Sequence, residues 1–82
     1  MTPRTPQNPQ SQLALGEAIR KLRHKEGTSL EALAGEAGIT RNMLSLIERG
    51  EGNPSWVTVR GIAKALGLSI ADLAKAAEKL EA

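Results

Sequence analysis

Arg41, Asn42 and Ser45 stand within five positions of one another, and their side chains share one kind of chemistry: each can read the edge of a base pair. The arginine fork matches the O6 and N7 acceptors of guanine. The asparagine amide matches N6 and N7 of adenine, and a serine hydroxyl donates or accepts against either purine. Such a set works only on an element narrow enough to enter the roughly 12 Å major groove, and an α-helix is one. The surrounding residues supply that helix. Thr40 is a capping residue, Leu44 and Ile47 recur at inward-facing spacing, and Gly50 is a stop. A helix over about 41–49 turns Arg41, Asn42, Ser45 and Leu46 outward and leaves Arg49 at its far end.

A reading helix needs a second element to hold it. Thr28 or Ser29 opens a preceding helix that ends near Ala37, and Thr28 with Glu31 matches a capping box. Leu33, Ala34 and Ala37 form its inner face. Gly38 and Ile39 make a tight turn, with Ile39 as the buried plug. Two short helices joined by a turn of about three residues form a helix-turn-helix, in which the first helix packs across the second and positions it. In that geometry Ser29, Thr40, Arg49 and Asn53, with the backbone amides at the starts of the second and fourth helices, grip phosphates. Base reading falls to Arg41, Asn42, Ser45 and Leu46.

The rest of the chain builds the scaffold. Residues 1–12, rich in Pro, Gln and Asn without apolar periodicity, read as a disordered arm. Arg4 there is a candidate DNA contact, with plain disorder the simpler account. A first helix covers about 13–26, with Leu15, Ile19 and Leu22 as one apolar stripe and Gly27 ending it. After the turn-rich Gly-Glu-Gly-Asn-Pro of residues 50–54, Ser55 caps a fourth helix in which Trp56, Val59, Ile62, Ala63 and Leu66 recur at helical spacing. Ser69, with Asp72 three residues on, opens a fifth that runs through Leu73 to about Leu80. No alternating β-branched run or hairpin turn signals a strand. The expectation is an all-α fold of five helices, one domain over residues 13–82.

Composition narrows the function. A chain of 82 residues makes one small domain. It has no cysteine, so disulfides and thiolate metal sites are excluded, consistent with a cytoplasmic setting. The first twelve residues lack the apolar run of a signal peptide, and no stretch approaches a membrane span. Net charge is only +2, but residues 1–27 carry five Lys/Arg against two Glu, a mild basic bias suited to phosphate or simply to a solvated helix face. His24 is the single histidine and reads as a surface residue, not a metal ligand. No carboxylate is placed to orient it, and no phosphate-binding glycine motif occurs, so neither an enzyme nor a cofactor is expected. Met43 and Trp56 read as packing residues, Trp56 partly buried. Gly35 and Gly61 lie inside helices, where each costs about 1 kcal/mol relative to alanine. Close approach to DNA would explain Gly35, with tolerance on an exposed face the simpler account.

The motifs LGEAIRKLR, S-x-E-x-LA, AGIT, IERG, NPS and IAKALG follow one another through residues 15–73. In this order and spacing they resemble the Cro/C1-type helix-turn-helix family of bacterial and phage repressors. The resemblance implies a five-helix, lambda-repressor-like domain that binds operator DNA, commonly as a homodimer on a two-fold site. It also implies an ion pair between Arg23, late in the first helix, and Glu48, late in the third. Two positions depart from the family. Leu30 replaces a glutamine that often touches phosphate. Leu46 replaces a polar or basic residue, leaving it to meet a thymine methyl, solvent or a partner.

The apolar excess at Trp56, Val57, Ile70, Leu73 and Leu80 marks a candidate dimer interface. With no sensor domain in the sequence, control is expected to come from concentration, dimerisation or a second protein. The alternative class is a protein-interaction module of the antitoxin type that neutralises a partner protein.

Overall fold

The computed structural model describes residues 9–81. They form five helices: α1 (Pro9–Lys25), α2 (Leu30–Ala37), α3 (Arg41–Glu48), α4 (Trp56–Ala65) and α5 (Ile70–Glu81). Their starts follow local capping chemistry. The side-chain oxygens of Ser29, Thr40 and Ser55 accept the backbone N–H of Ala32, Met43 and Thr58 at 3.0–3.2 Å, satisfying donors that a helix start leaves unpaired. Ser29, not Thr28, therefore caps α2. Ser69 and Asp72 form a reciprocal box ahead of α5, the Asp72 N–H donating to Ser69 Oγ and the Ser69 N–H to Asp72 Oδ2.

One large side chain from each helix meets the others at the centre. Ile19, Leu33, Leu44, Ile62 and Leu73 are all fully buried, each worth about 1.5–3 kcal/mol of apolar burial. Leu15, Leu22, Ile39 and Val59 pack around them, half-buried. α1 and α5 lie against each other, α4 packs on α2 and α5, and α3 rests on α1 and α2.

Three expectations are corrected here. The helix begins at Pro9, four residues before Leu13, so residues 9–12 do not belong to an arm. Gln10 Nε2 donates to the Glu81 carbonyl at 3.2 Å and Ser11 Oγ pairs with Glu81 Oε2, which anchors the first turn of α1 on the last turn of α5. Residues 1–8, with Arg4, lie outside the described residues. Leu73, assigned to a surface between copies, closes the core instead. Trp56 is 63% exposed. As the first residue of α4 it lies a turn ahead of Val59 and Ile62, which carry that helix into the core, so it does not serve as an internal packing residue. No helix among the described residues is long and apolar enough to cross a membrane.

Candidate nucleic-acid interface

The turn between α2 and α3 determines what α3 can present. Gly38 adopts the left-handed conformation (φ 78°, ψ 26°), which a side chain would disfavour. The Ile39 N–H donates back to the Ala34 carbonyl at 3.0 Å, and Ile39 packs against the core. The chain thus reverses within a few residues, and Thr40 caps α3 at once. The inward side of α3 carries Leu44 and Ile47, both buried. Its first turn carries Arg41, Asn42 and Met43, all exposed.

The far end of α3 is held from α1. Arg23 Nε donates to Glu48 Oε2 at 2.7 Å, and a second guanidinium nitrogen donates to Glu48 Oε1 at 2.9 Å. The third donates to the Thr28 carbonyl at 3.0 Å. One side chain thereby ties α1, the α1–α2 loop and the end of α3 together. The Arg23 and Glu48 side chains are 13% and 6% exposed. The hydrogen bonds that the guanidinium donates to Glu48 raise the Arg23 pKa above its ordinary value. The carboxylate charge acts in the same sense and desolvation opposes both.

The expected site residues fall into three groups. Arg41 and Asn42 are exposed on the first turn, with Thr40 exposed beside them. Ser45 and Leu46 are half-buried. Leu46 lines a hollow of about 310 Å³ with Met43, Asn53, Pro54 and Thr58, between the end of α3 and the start of α4. At its rim Asn53 and Ser55 are exposed. Ser29 is exposed at the start of α2. It and Thr40 spend an oxygen lone pair on their caps but keep a hydroxyl hydrogen able to donate to an anion. Arg49 is the exposed C-cap of α3.

Two neighbours went unread in the sequence. Glu31 Oε2 lies 3.6 Å from Arg41 Nε, and Glu51 Oε1 lies 3.7 Å from an Arg49 nitrogen. Both pairs are well exposed, so each is weak and opens readily to a competing ligand. Arg41 pairs across the turn from α2 to α3, a contact that no helical periodicity announces. Leu30 is half-buried against the core, which accounts for an apolar side chain where a polar one is common.

Among known proteins, a helix-turn-helix domain family matches residues 14–76. The chain is 38% identical over 66 residues to the HTH-type transcriptional regulator DdrOP3 of Deinococcus deserti, covering 80% of this chain and 51% of that one. It thus spans about half the length of that relative. It is 40% identical over 62 residues to the control protein C.BamHI of Bacillus amyloliquefaciens, covering 74% and 76% of the two chains. The crystal structure of the clp gene regulator ClgR from Corynebacterium glutamicum superimposes with a TM-score of 0.83 at 32% identity, over 87% of this chain and 76% of that one. On the order of its motifs, its five-helix architecture and these matches, the chain belongs to the Cro/C1-type helix-turn-helix family.

Proposed function

We propose that this protein is a double-stranded DNA-binding regulator of transcription that inserts α3 into the major groove. The observation that carries the reading is the first turn of α3. Arg41 and Asn42 are both exposed there, on a helix held by a left-handed turn at one end and a bidentate ion pair at the other. A base-reading side chain must be free to move while its helix is not, and this arrangement meets both conditions. The relatives described above are named as a transcriptional regulator, a control protein and a gene regulator, which supports the regulatory role.

The mechanism divides the contacts in two. Arg41 and Asn42 read bases deep in the groove, with Ser45 and Leu46 at its wall, Leu46 suited to a thymine methyl. Ser29, Thr40, Arg49 and Asn53 hold phosphates, aided by the N–H groups at the starts of α2 and α4. Arg41 leaves Glu31 as it enters the groove. A single α3 reads only a few base pairs, so a two-fold homodimer on half-sites about 34 Å apart completes the site. Trp56 and Val57, 63% and 76% exposed, support α4 as part of that interface. Ile70 lies nearby and lines a hollow with Trp56.

The test is a titration of variants against a duplex selected by the protein from a random pool, and against random duplex, at several salt concentrations. Arg41→Ala and Asn42→Ala are each expected to weaken the selected duplex by about 1–3 kcal/mol and random duplex much less. Arg49→Ala is expected to weaken both alike and lower the salt slope by about one. Indistinguishable behaviour of the three would remove α3 as the reading element. No effect from any of them would pass the function to the protein-partner reading.

A further inference from the structure

Two helix-interior glycines are placed where the reading unit meets its scaffold. A methyl group on Gly16 of α1 would overlap the Ile47 carbonyl oxygen and come within 2.7 Å of the Glu48 carbonyl oxygen, the last residues of α3. A methyl group on Gly61 of α4 would lie 2.9 Å from the carbonyl oxygen of Ala37, the last residue of α2. In both cases the obstructing atom is backbone, which cannot rotate away as a side chain can. Gly35, also mid-helix, has nothing within 4 Å of the same position. Among the helix-interior glycines, close approach is therefore particular to the two that face α2 and α3.

The α1 contact extends along one side of that helix. Leu13 packs on Gly50, just past α3, where a methyl group would meet its Cδ2 atom at 2.6 Å. Gly16 meets the last carbonyls of α3, and Arg23 takes the Glu48 carboxylate. These residues, three and then seven positions apart, share one helical face. The ion pair is a flexible tether that tolerates small shifts, whereas a backbone-to-backbone stop does not.

We propose that Gly16 and Gly61 are positioning residues for DNA reading: they are notches into which the carboxyl ends of α3 and α2 seat, and they determine the angle and depth at which α3 is presented. This rests on the DNA-binding reading above and adds to it the residues that set its geometry. Base contacts depend on placement to within about half an ångström, whereas long cations reach phosphates over a wider range. A shift in seating consequently lowers discrimination before it lowers general affinity.

The test uses the full chain carrying Gly16→Ala and, separately, Gly61→Ala, with Ile62→Val as a control that thins the core without adding an atom between helices. Residual dipolar couplings in the free protein report the axis of α3 relative to α4 and α5. Titrations compare the duplex selected by the wild-type protein with random duplex. Gly16→Ala is expected to tilt α3 and to reduce the ratio of selected to random affinity at least tenfold, with random-duplex affinity held within about threefold. Gly61→Ala is expected to move α2 and α3 together with a smaller loss of the ratio. Ile62→Val should lower the melting temperature and leave the ratio intact.

Unchanged helix orientation in the glycine variants, or an unchanged ratio alongside lower stability, would overturn the proposal. Should Gly16→Ala not fold, Gly61→Ala decides. Should neither fold, the notches serve folding alone and the proposal falls. If the wild-type protein selects no duplex, the DNA reading fails, but the dipolar couplings still decide whether the glycines seat the two helices.

Discussion

Arg23 makes three hydrogen bonds to two different segments while partly buried, 13% of its side chain remaining exposed. Burying both charges of an ion pair has a large desolvation cost, so the pair adds little beyond what an apolar pair would contribute. Removing one partner strands the other, and that effect dominates. Arg23→Met and Glu48→Gln are each expected to lower unfolding free energy by about 3–5 kcal/mol, the double variant losing less than the two together. Chemical denaturation of the four proteins measures this, and strictly additive losses would show that the side chains act independently. Glu31→Gln, at an exposed pair, should change stability by less than about 1 kcal/mol. The raised Arg23 pKa also has a sign. Its contribution is complete below the unfolded-state value and is lost only as pH climbs past the folded one, so the Arg23 guanidinium gives no loss of stability across neutral pH.

At the level of the helix, the boundaries come from short-range chemistry. Ser29, Thr40 and Ser55 each cap within three residues, and Gly38 turns the chain without strain. The three mid-helix glycines look alike in sequence but differ in what faces them. At Gly35 space is open and φ is not positive, so a methyl group meets no resistance and alanine restricts the unfolded chain. Gly35→Ala is expected to raise stability by about 0.5–1 kcal/mol. In a domain of this size that amounts to a rise of a few degrees in melting temperature, measurable by circular dichroism. A fall would mean that α2 is more crowded there than the backbone indicates. Thr40→Ala removes a cap worth about 1 kcal/mol together with a proposed phosphate contact, so it cannot separate the two roles.

For the whole molecule, the question is which apolar residues the fold consumes and which it leaves outside. Leu73 is consumed, while Val57 and Trp56 are left in solvent. Leu73→Ala is accordingly expected to cost about 2–5 kcal/mol of stability. Val57→Ser and Trp56→Ser should leave the melting temperature of the monomer nearly unchanged and weaken self-association. Sedimentation equilibrium at tens of micromolar, with and without DNA, separates these outcomes. A wild-type protein that remains monomeric under both conditions would remove the two-fold arrangement from the proposed mechanism.

The amino-acid sequence alone determined the five helices, the turn at Gly38 and the outward placement of Arg41 and Asn42, because each depends on residues within a turn or two of chain. A serine cap, a stop glycine and an apolar repeat act through contacts three or four residues long. Tertiary structure decided the rest. The first turn of α1 exists through contact with Glu81, seventy residues away in the chain, and no local preference encodes that. The apolar positions of α5 could have faced the core or a partner, and packing against α1 and α4 chose Leu73 for the core. Gly16 and Gly61 differ from Gly35 only in the carbonyl groups opposite them. A glycine announces an absent side chain, but the space it vacates is occupied by a distant part of the chain, which only the folded backbone brings there.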